Sequence, residues 1–177
     1  MNRLFAAIKV NSTASQQICQ LQSGFGRDGR IIPKDNLHIT LAFFGLTREA
    51  VQLELVEAIQ AVPKRKFSLC FDTLSIWPNS RLRCLETSQC PQALAELARD
   101  LRGLSARYGL HQSLHPYRPH ISLQRNLPQT TGQWQTSCAL AQPIIIWPSH
   151  FQLFRSQLGP SGPHYQPIAS WSLHKDG

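Results

Sequence analysis

Two hydrophobic periods alternate along this chain, and the switches between them mark its elements. The apolar run Leu4 to Ile8, closed by Lys9, predicts a strand over Arg3 to Val10. Ser12 or Thr13 can cap a short helix running to about Leu21, with Ile18 and Leu21 inward. Ser23 to Lys34 is rich in glycine and charge and reads as a loop. Asn36 to Gly45 alternates as a strand. Thr47 serves as the expected N-cap of a helix with Glu49 in its first turn and Val51, Leu55, Ala58, Ile59 and Val62 on one face, ended by Pro63. Lys66 to Ile76 and Arg81 to Thr87 read as strands across a turn at Pro78-Asn79-Ser80. Pro91 suits a first helical position, and Leu94, Leu97, Leu101, Leu104 and Tyr108 form the stripe that follows. Arg118 to Arg125 is a strand, and Leu127 to Gln142 is polar and irregular. Ile144 to Phe154 is strand-like but interrupted by Pro148. Leu158 to His164 reads as a loop and His164 to Leu173 as a closing strand.

In this order a helix twice leads into a similar strand. The expectation is one α+β domain over residues 1–177, built of two pseudo-symmetric lobes, approximately 1–90 and 91–177. Their largely antiparallel sheets would be flanked by helices, with an active-site groove between the lobes. A chain of 177 residues with 42% apolar content can bury a core of that size. No run reaches the ~18 apolar residues of a membrane span, and the opening run is too short for a signal-peptide core. Five cysteines, none spaced Cys-x-x-Cys, suit scattered buried thiols in a reducing cytoplasm, where the protein is expected.

Candidate chemistry lies in two copies of one short pattern, His38-Ile39-Thr40-Leu41 and His120-Ile121-Ser122-Leu123. Side chains alternate faces along a strand, so each copy turns an imidazole and a hydroxyl to one side and aliphatic groups to the other. Two imidazoles near neutrality can divide acid and base duties, each typically worth roughly 10²- to 10⁴-fold in rate. The hydroxyls can hold non-bridging phosphate oxygens as charge builds on phosphorus. No carboxylate cluster lies near the second copy for magnesium or manganese, so no metal or other cofactor is expected. Zinc on His111, His115 and His120 is the metal alternative, and the prolines between them keep these residues off one helix face. A net charge of +8, with no Asp or Glu from Leu101 to Lys175, favours polyanionic partners such as RNA.

The paired pattern resembles the tandem His-x-Thr/Ser-x signature of the two-histidine (2H) phosphoesterases. Flanking residues are similar to the bacterial RNA 2′,3′-cyclic phosphodiesterases, also called 2′-5′ RNA ligases. They include Arg3-Leu4-Phe5-Ala6-Ala7-Ile8, Pro33-Lys34 and Asn36-Leu37, Leu41-Ala42-Phe43-Phe44-Gly45, Pro116-Tyr117-Arg118-Pro119, and Tyr165 with Trp171. The resemblance implies a metal-independent enzyme that opens the cyclic phosphate at an RNA 3′ end to a 2′-phosphate. It also implies a reversible 2′-5′ ligation in which a 5′-hydroxyl replaces water. By the same resemblance His38 is the proton donor and His120 the proton acceptor, Thr40 and Ser122 hold phosphate oxygens, and Phe43 and Arg125 bind substrate. The implied partners are RNA ends carrying 2′,3′-cyclic phosphate, tRNA halves among them, for a monomer away from membranes. The alternatives are an RNA-binding protein with little turnover, or a 2H phosphodiesterase for another cyclic or 2′-5′-linked nucleotide.

Parity presents a conflict. Phe43 and Arg125 each follow their histidine by five positions, which puts them on the opposite face of a regular strand. A bulge, a strong twist or a strand end must re-aim them, and the shared offset suggests one device used twice. Ser122 keeps the hydroxyl but lacks the β-branch of threonine, so activity should survive. Trp77 and Trp134 could stack on bases or serve the core or rim. Tyr165 could reach phosphate or be an ordinary strand residue, and Arg81 and Arg83 could line the groove or be solvated.

Overall fold

The opening apolar run becomes a central strand, β1 (Asn2–Lys9), whose residues from Leu4 to Ile8 are all buried. Continuous rather than alternating burial means that both faces of this strand are covered. The structure, a computed structural model, describes residues 1–129, 136–160 and 162–175. Among these, β1 is followed by α1 (Ser12–Ser23), β2 (Arg30–Ile31), a 3-10 turn (Lys34–Asn36), β3 (His38–Thr47), α2 (Glu49–Gln60), β4 (Leu69–Trp77) and β5 (Leu82–Glu86). The second part holds α3 (Gln92–Arg107), β6 (His120–Arg125), β7 (Ser137–Ile146), β8 (His150–Gly159) and β9 (Gly162–Ser172).

The strands form one sheet in the order β7-β4-β5-β6-β3-β1-β8-β9, with β2 added on β6, and the pairs are antiparallel. The α+β architecture is therefore as expected, with a single sheet in place of separate ones. Its two halves, β3-β1-β8-β9 and β6-β5-β4-β7, each draw strands from both 1–90 and 91–177, so the segments interleave in space. The halves meet at the pair Ile39↔Ile121, the centres of the two His-bearing patterns.

Helices cover the face that carries Leu4, Ala6 and Ile8. Ala14 and Ile18 of α1, Leu55 and Ile59 of α2, and Leu94, Leu97 and Leu101 of α3 pack into one core with them. Burying each large aliphatic side chain there contributes about 1.5–3 kcal/mol. The other face of β1 carries Phe5 and Ala7, which cluster with Phe154 and Tyr165. No helix among the described residues is long and apolar enough to cross a membrane.

Several boundaries differ from the sequence expectation for local reasons. Asn11 rather than Ser12 or Thr13 caps α1, its side chain accepting from the Ala14 N–H at 2.9 Å. Thr47 ends β3, and α2 starts after Arg48 without a side-chain cap. Pro91 sits at the N-cap of α3, one place before the helix. β7 extends back through Ser137–Gln142, where an irregular segment was expected, and β8 and β9 extend into the expected loop at Leu158–His164.

Candidate active site

Antiparallel pairing at Ile39↔Ile121 puts His38 beside Ser122 and Thr40 beside His120. Each imidazole thus neighbours the hydroxyl of the other copy. The two histidines are diagonal neighbours, a relation that spans roughly 7–8 Å between backbones and leaves room for one tetrahedral group.

The parity conflict is resolved by two matching bulges. Along β3, His38, Thr40 and Phe43 oppose Lys9, Ala7 and Phe5 of β1, three positions that share a face. The register slips between Ala6 and Ala7, so β3 carries one extra residue and Leu41 and Ala42 are both buried. Along β6, His120, Ser122 and Arg125 oppose Glu86, Cys84 and Leu82 of β5, and the slip there lies between Arg83 and Cys84. Leu123 and Gln124, the two residues at that step, are both buried. An extra residue at the same offset in each copy therefore brings Phe43 and Arg125 onto the histidine face. Arg125 then donates from Nη2 to Ser122 Oγ at 3.1 Å, and Phe43 stands 37% exposed, open to a stacking partner.

Backbone carbonyls set the imidazole tautomers. His38 Nδ1 lies 2.6 Å from the Asn36 carbonyl oxygen, and His120 Nδ1 lies 2.8 Å from that of Arg118. A carbonyl only accepts, so Nδ1 carries the hydrogen in both rings and Nε2 is left as the titrating nitrogen. Both groups resist protonation. Burial is the main cause at His38 and pushes it down to about 4; the charges of Arg125 and His120 act in the same sense, against the Asn36 carbonyl. His120 is also held below its usual value, first by burial and then by Arg125 and Arg118, while the Arg118 carbonyl and the Glu86 carboxylate oppose the fall.

The surroundings break the symmetry of the two copies. His38 packs against Phe5 at 5.2 Å and edge-on against Tyr165 at 5.2 Å between ring centroids. His120 lies 4.6 Å from the Trp77 ring, whose Nε1 donates to Glu86 Oε2 at 3.1 Å. Arg118 donates to Glu86 Oε1 at 2.6 Å and also covers the Trp77 ring at 4.6 Å. Covered by Arg118 and bonded to Glu86, Trp77 is a wall for His120 rather than a free stacking plate. Tyr165 lines the site, contrary to the plainer role open to a strand tyrosine. Arg81 and Arg83 are engaged elsewhere: Arg81 bonds the Leu127 and Asn126 carbonyls, and Arg83 bonds Gln124 and covers Phe25. Trp134 lies outside the described residues. Glu86 was not singled out in the sequence because it lies 34 positions from His120, and only the β5–β6 register reveals their contact.

Hollows flank the pair on both sides. On the His120 side they measure about 840 and 300 Å³, and on the His38 side about 280 and 120 Å³. Among the described residues no three His, Cys, Asp or Glu side chains are grouped to hold a metal, and that includes the zinc alternative at His111, His115 and His120.

Known proteins are similar to this chain over nearly its whole length. An RNA 2′,3′-cyclic phosphodiesterase from Escherichia coli strain K12 is 30% identical over 176 residues, covering 97% of this chain and 96% of the relative. One of the same description from Methanocaldococcus jannaschii is 24% identical over 175 residues, covering 96% and 99%. The crystal structure of E. coli LigT complexed with 3′-AMP superposes with a TM-score of 0.89 at 30% identity, covering 98% of this chain and 99% of that one. A crystal structure described as a phosphoesterase gives 0.90, also at 30% identity, with the same coverage. The model of the 2′-5′ RNA ligase superfamily matches residues 11–157, and the chain, with its two bulged His-bearing strands, belongs to that superfamily.

Proposed function

We propose that this protein hydrolyses the 2′,3′-cyclic phosphate at RNA 3′ ends to a 2′-phosphate by acid–base catalysis between His38 and His120. One observation carries the proposal: two imidazoles on one sheet face, each with Nδ1 engaged by a carbonyl and each beside the other's hydroxyl. His120 Nε2 takes a proton from water as the water oxygen bonds to phosphorus. The bond from phosphorus to O3′ breaks, and O3′ receives the proton carried by His38 Nε2. Thr40 and Ser122 donate to the non-bridging oxygens, and Arg125 offsets their charge. Phe43 stacks on the terminal base.

The resting site is short of protons, and this has a consequence for the acid. Arg125 disfavours an imidazolium at His38 while its own charge is uncompensated. A phosphodiester anion bound at Arg125 cancels that charge and adds its own attraction, so substrate and acid proton load together. The developing imidazolium of His120 has the Glu86 carboxylate nearby, in the sense that favours it. A 5′-hydroxyl in place of water would give 2′-5′ ligation by the same steps. The substrate class includes tRNA halves, acted on by a cytoplasmic monomer.

The test is EDTA-treated protein with oligonucleotides ending in 2′,3′-cyclic phosphate, alongside other cyclic and 2′-5′-linked nucleotides. The expected product is the 2′-phosphate, with EDTA without effect. His38→Ala and His120→Ala should each lose roughly 10²- to 10⁴-fold in kcat while remaining folded. A 3′-phosphate product, or full activity in His38→Ala, overturns the proposal.

A further inference from the structure

A second guanidinium reaches the His38 end of the site from the two-residue strand β2. β2 pairs with β6 at Arg30↔Arg125 and Ile31↔Gln124. Residues directly opposite in an antiparallel pair project from one face, and like charges there repel. Several contacts nonetheless enforce the approach. The Ile32 N–H donates to the Leu123 carbonyl at 2.9 Å. The buried Gln22 amide donates to the carbonyls of Ile32 at 3.0 Å and Leu123 at 2.9 Å. A Cβ on Gly29 would come within 2.7 Å of the Arg125 carbonyl oxygen, so only glycine permits this separation.

Between these arginines lies a cavity of about 120 Å³, lined by Arg30, Asn36, His38, Ser122, Arg125 and Tyr165 among others, with no Asp or Glu in its wall. Pro163 of β9 lines it as well, tied by Asn36 Nδ2 donating to the Pro163 carbonyl at 2.9 Å. Gly162, at φ 120°, leaves space for Arg30, since a Cβ there would lie 2.7 Å from Arg30 Nη1. Two like charges held together by backbone, in a wall that supplies no counter-charge, form a site for an anion. The cavity suits one phosphate group and is too small for a nucleoside. It touches His38 and Ser122 but neither Thr40 nor His120, so it lies beside the reacting phosphorus rather than around it.

We propose that this cavity binds a second phosphate of the substrate, on the 5′ side of the terminal ribose, and that Arg30 is its specificity-determining residue. The inference rests on the function proposed above. An internucleotide diester and a terminal 5′-monophosphate present the same chemistry there, and substrates can separate them.

The experiment compares kcat/KM for a nucleoside 2′,3′-cyclic phosphate, its 5′-phosphorylated form, and a dinucleotide ending in cyclic phosphate. The wild type should favour the two that carry a second phosphate. Arg30→Gln should cut that preference roughly 10- to 100-fold, the worth of one charge-assisted contact, and Arg30→Lys should keep most of it. Loss confined to the dinucleotide assigns the cavity to the diester, and loss confined to the 5′-phosphorylated nucleoside assigns it to the monoester. Equal loss on all three substrates, or none on any, overturns the subsite. Urea unfolding should show Arg30→Gln no less stable than the wild type, because it relieves the repulsion with Arg125, and a marked loss of stability counts against the assignment. A wild type that turns over none of the three overturns the proposed activity, and the subsite with it.

Discussion

Replacing His38 by glutamine removes a titrating group that the folded chain keeps neutral, and the effect on acid stability can be worked out. In the unfolded chain the imidazole takes up its proton near 6.5; in the folded one, wedged between Phe5 and Tyr165, it does so only at about 4. Below 6.5 the unfolded state therefore binds more protons. The stabilising contribution is complete above 6.5, declines as pH falls, and is gone below about 4. The gap corresponds to about 3 kcal/mol, of which about 2 falls between pH 7 and pH 5. The ring keeps partial contact with solvent, which makes these figures ceilings. The assay is urea unfolding of the wild type and His38→Gln at about pH 7 and about pH 5, extrapolated to water. The carboxylates titrate in both chains and cancel in the difference. The wild type should lose up to about 2 kcal/mol more than the variant over that interval. Parallel losses in the two chains would refute the reasoning and, with it, the view that the acid must be loaded by the substrate's charge.

Other outcomes follow from the same geometry. Because a bound anion favours both imidazoliums, the pH profile of kcat should lie to higher pH than that of kcat/KM; coincident or reversed profiles would contradict substrate loading. Phe43→Ala should weaken binding by about 1–3 kcal/mol per stacked base while barely moving the urea midpoint, which steady-state KM and unfolding curves check together. Gln22→Leu removes the amide that bridges Ile32 and Leu123, and should cost about 2 kcal/mol in urea unfolding. An unchanged midpoint would show that water replaces the lost bonds.

The sequence discloses the site better than the strands that frame it. The duplicated pattern reveals both histidines and both hydroxyls because period-two alternation is a local property. The offsets of Phe43 and Arg125 reveal the need for bulges, since a residue on the wrong face must be re-aimed, but not which residue is inserted. That depended on β1 and β5, whose register with β3 and β6 is not encoded in either segment alone. The same limit hides Glu86 and leaves the roles of Trp77 and Tyr165 open, each brought to a histidine by pairing with, or packing from, a strand distant in sequence. The missed ends of β7 and β9 have a different cause. Both strands lie at the margins of the sheet, where one flank faces solvent, so their residues need no strict apolar alternation and prolines such as Pro163 and Pro167 are tolerated. β2 is the extreme case: two residues carry no period at all.

This contrast explains how one short pattern can serve twice in different roles. The pseudo-symmetry lies in the strands: the same bulge, the same Nδ1–carbonyl contact, the same neighbouring hydroxyl. The asymmetry lies in what later and earlier strands pack against them. Aromatic rings at His38 supply desolvation without a counter-charge, whereas the Trp77–Glu86–Arg118 group places a carboxylate near His120. A ring desolvated beside arginine charge and with no carboxylate near it gives up its proton readily once it has been loaded, as an acid should. A ring near a carboxylate retains the proton it abstracts, as a base should. Exchanging the two environments, rather than the two histidines, is therefore what would exchange their duties.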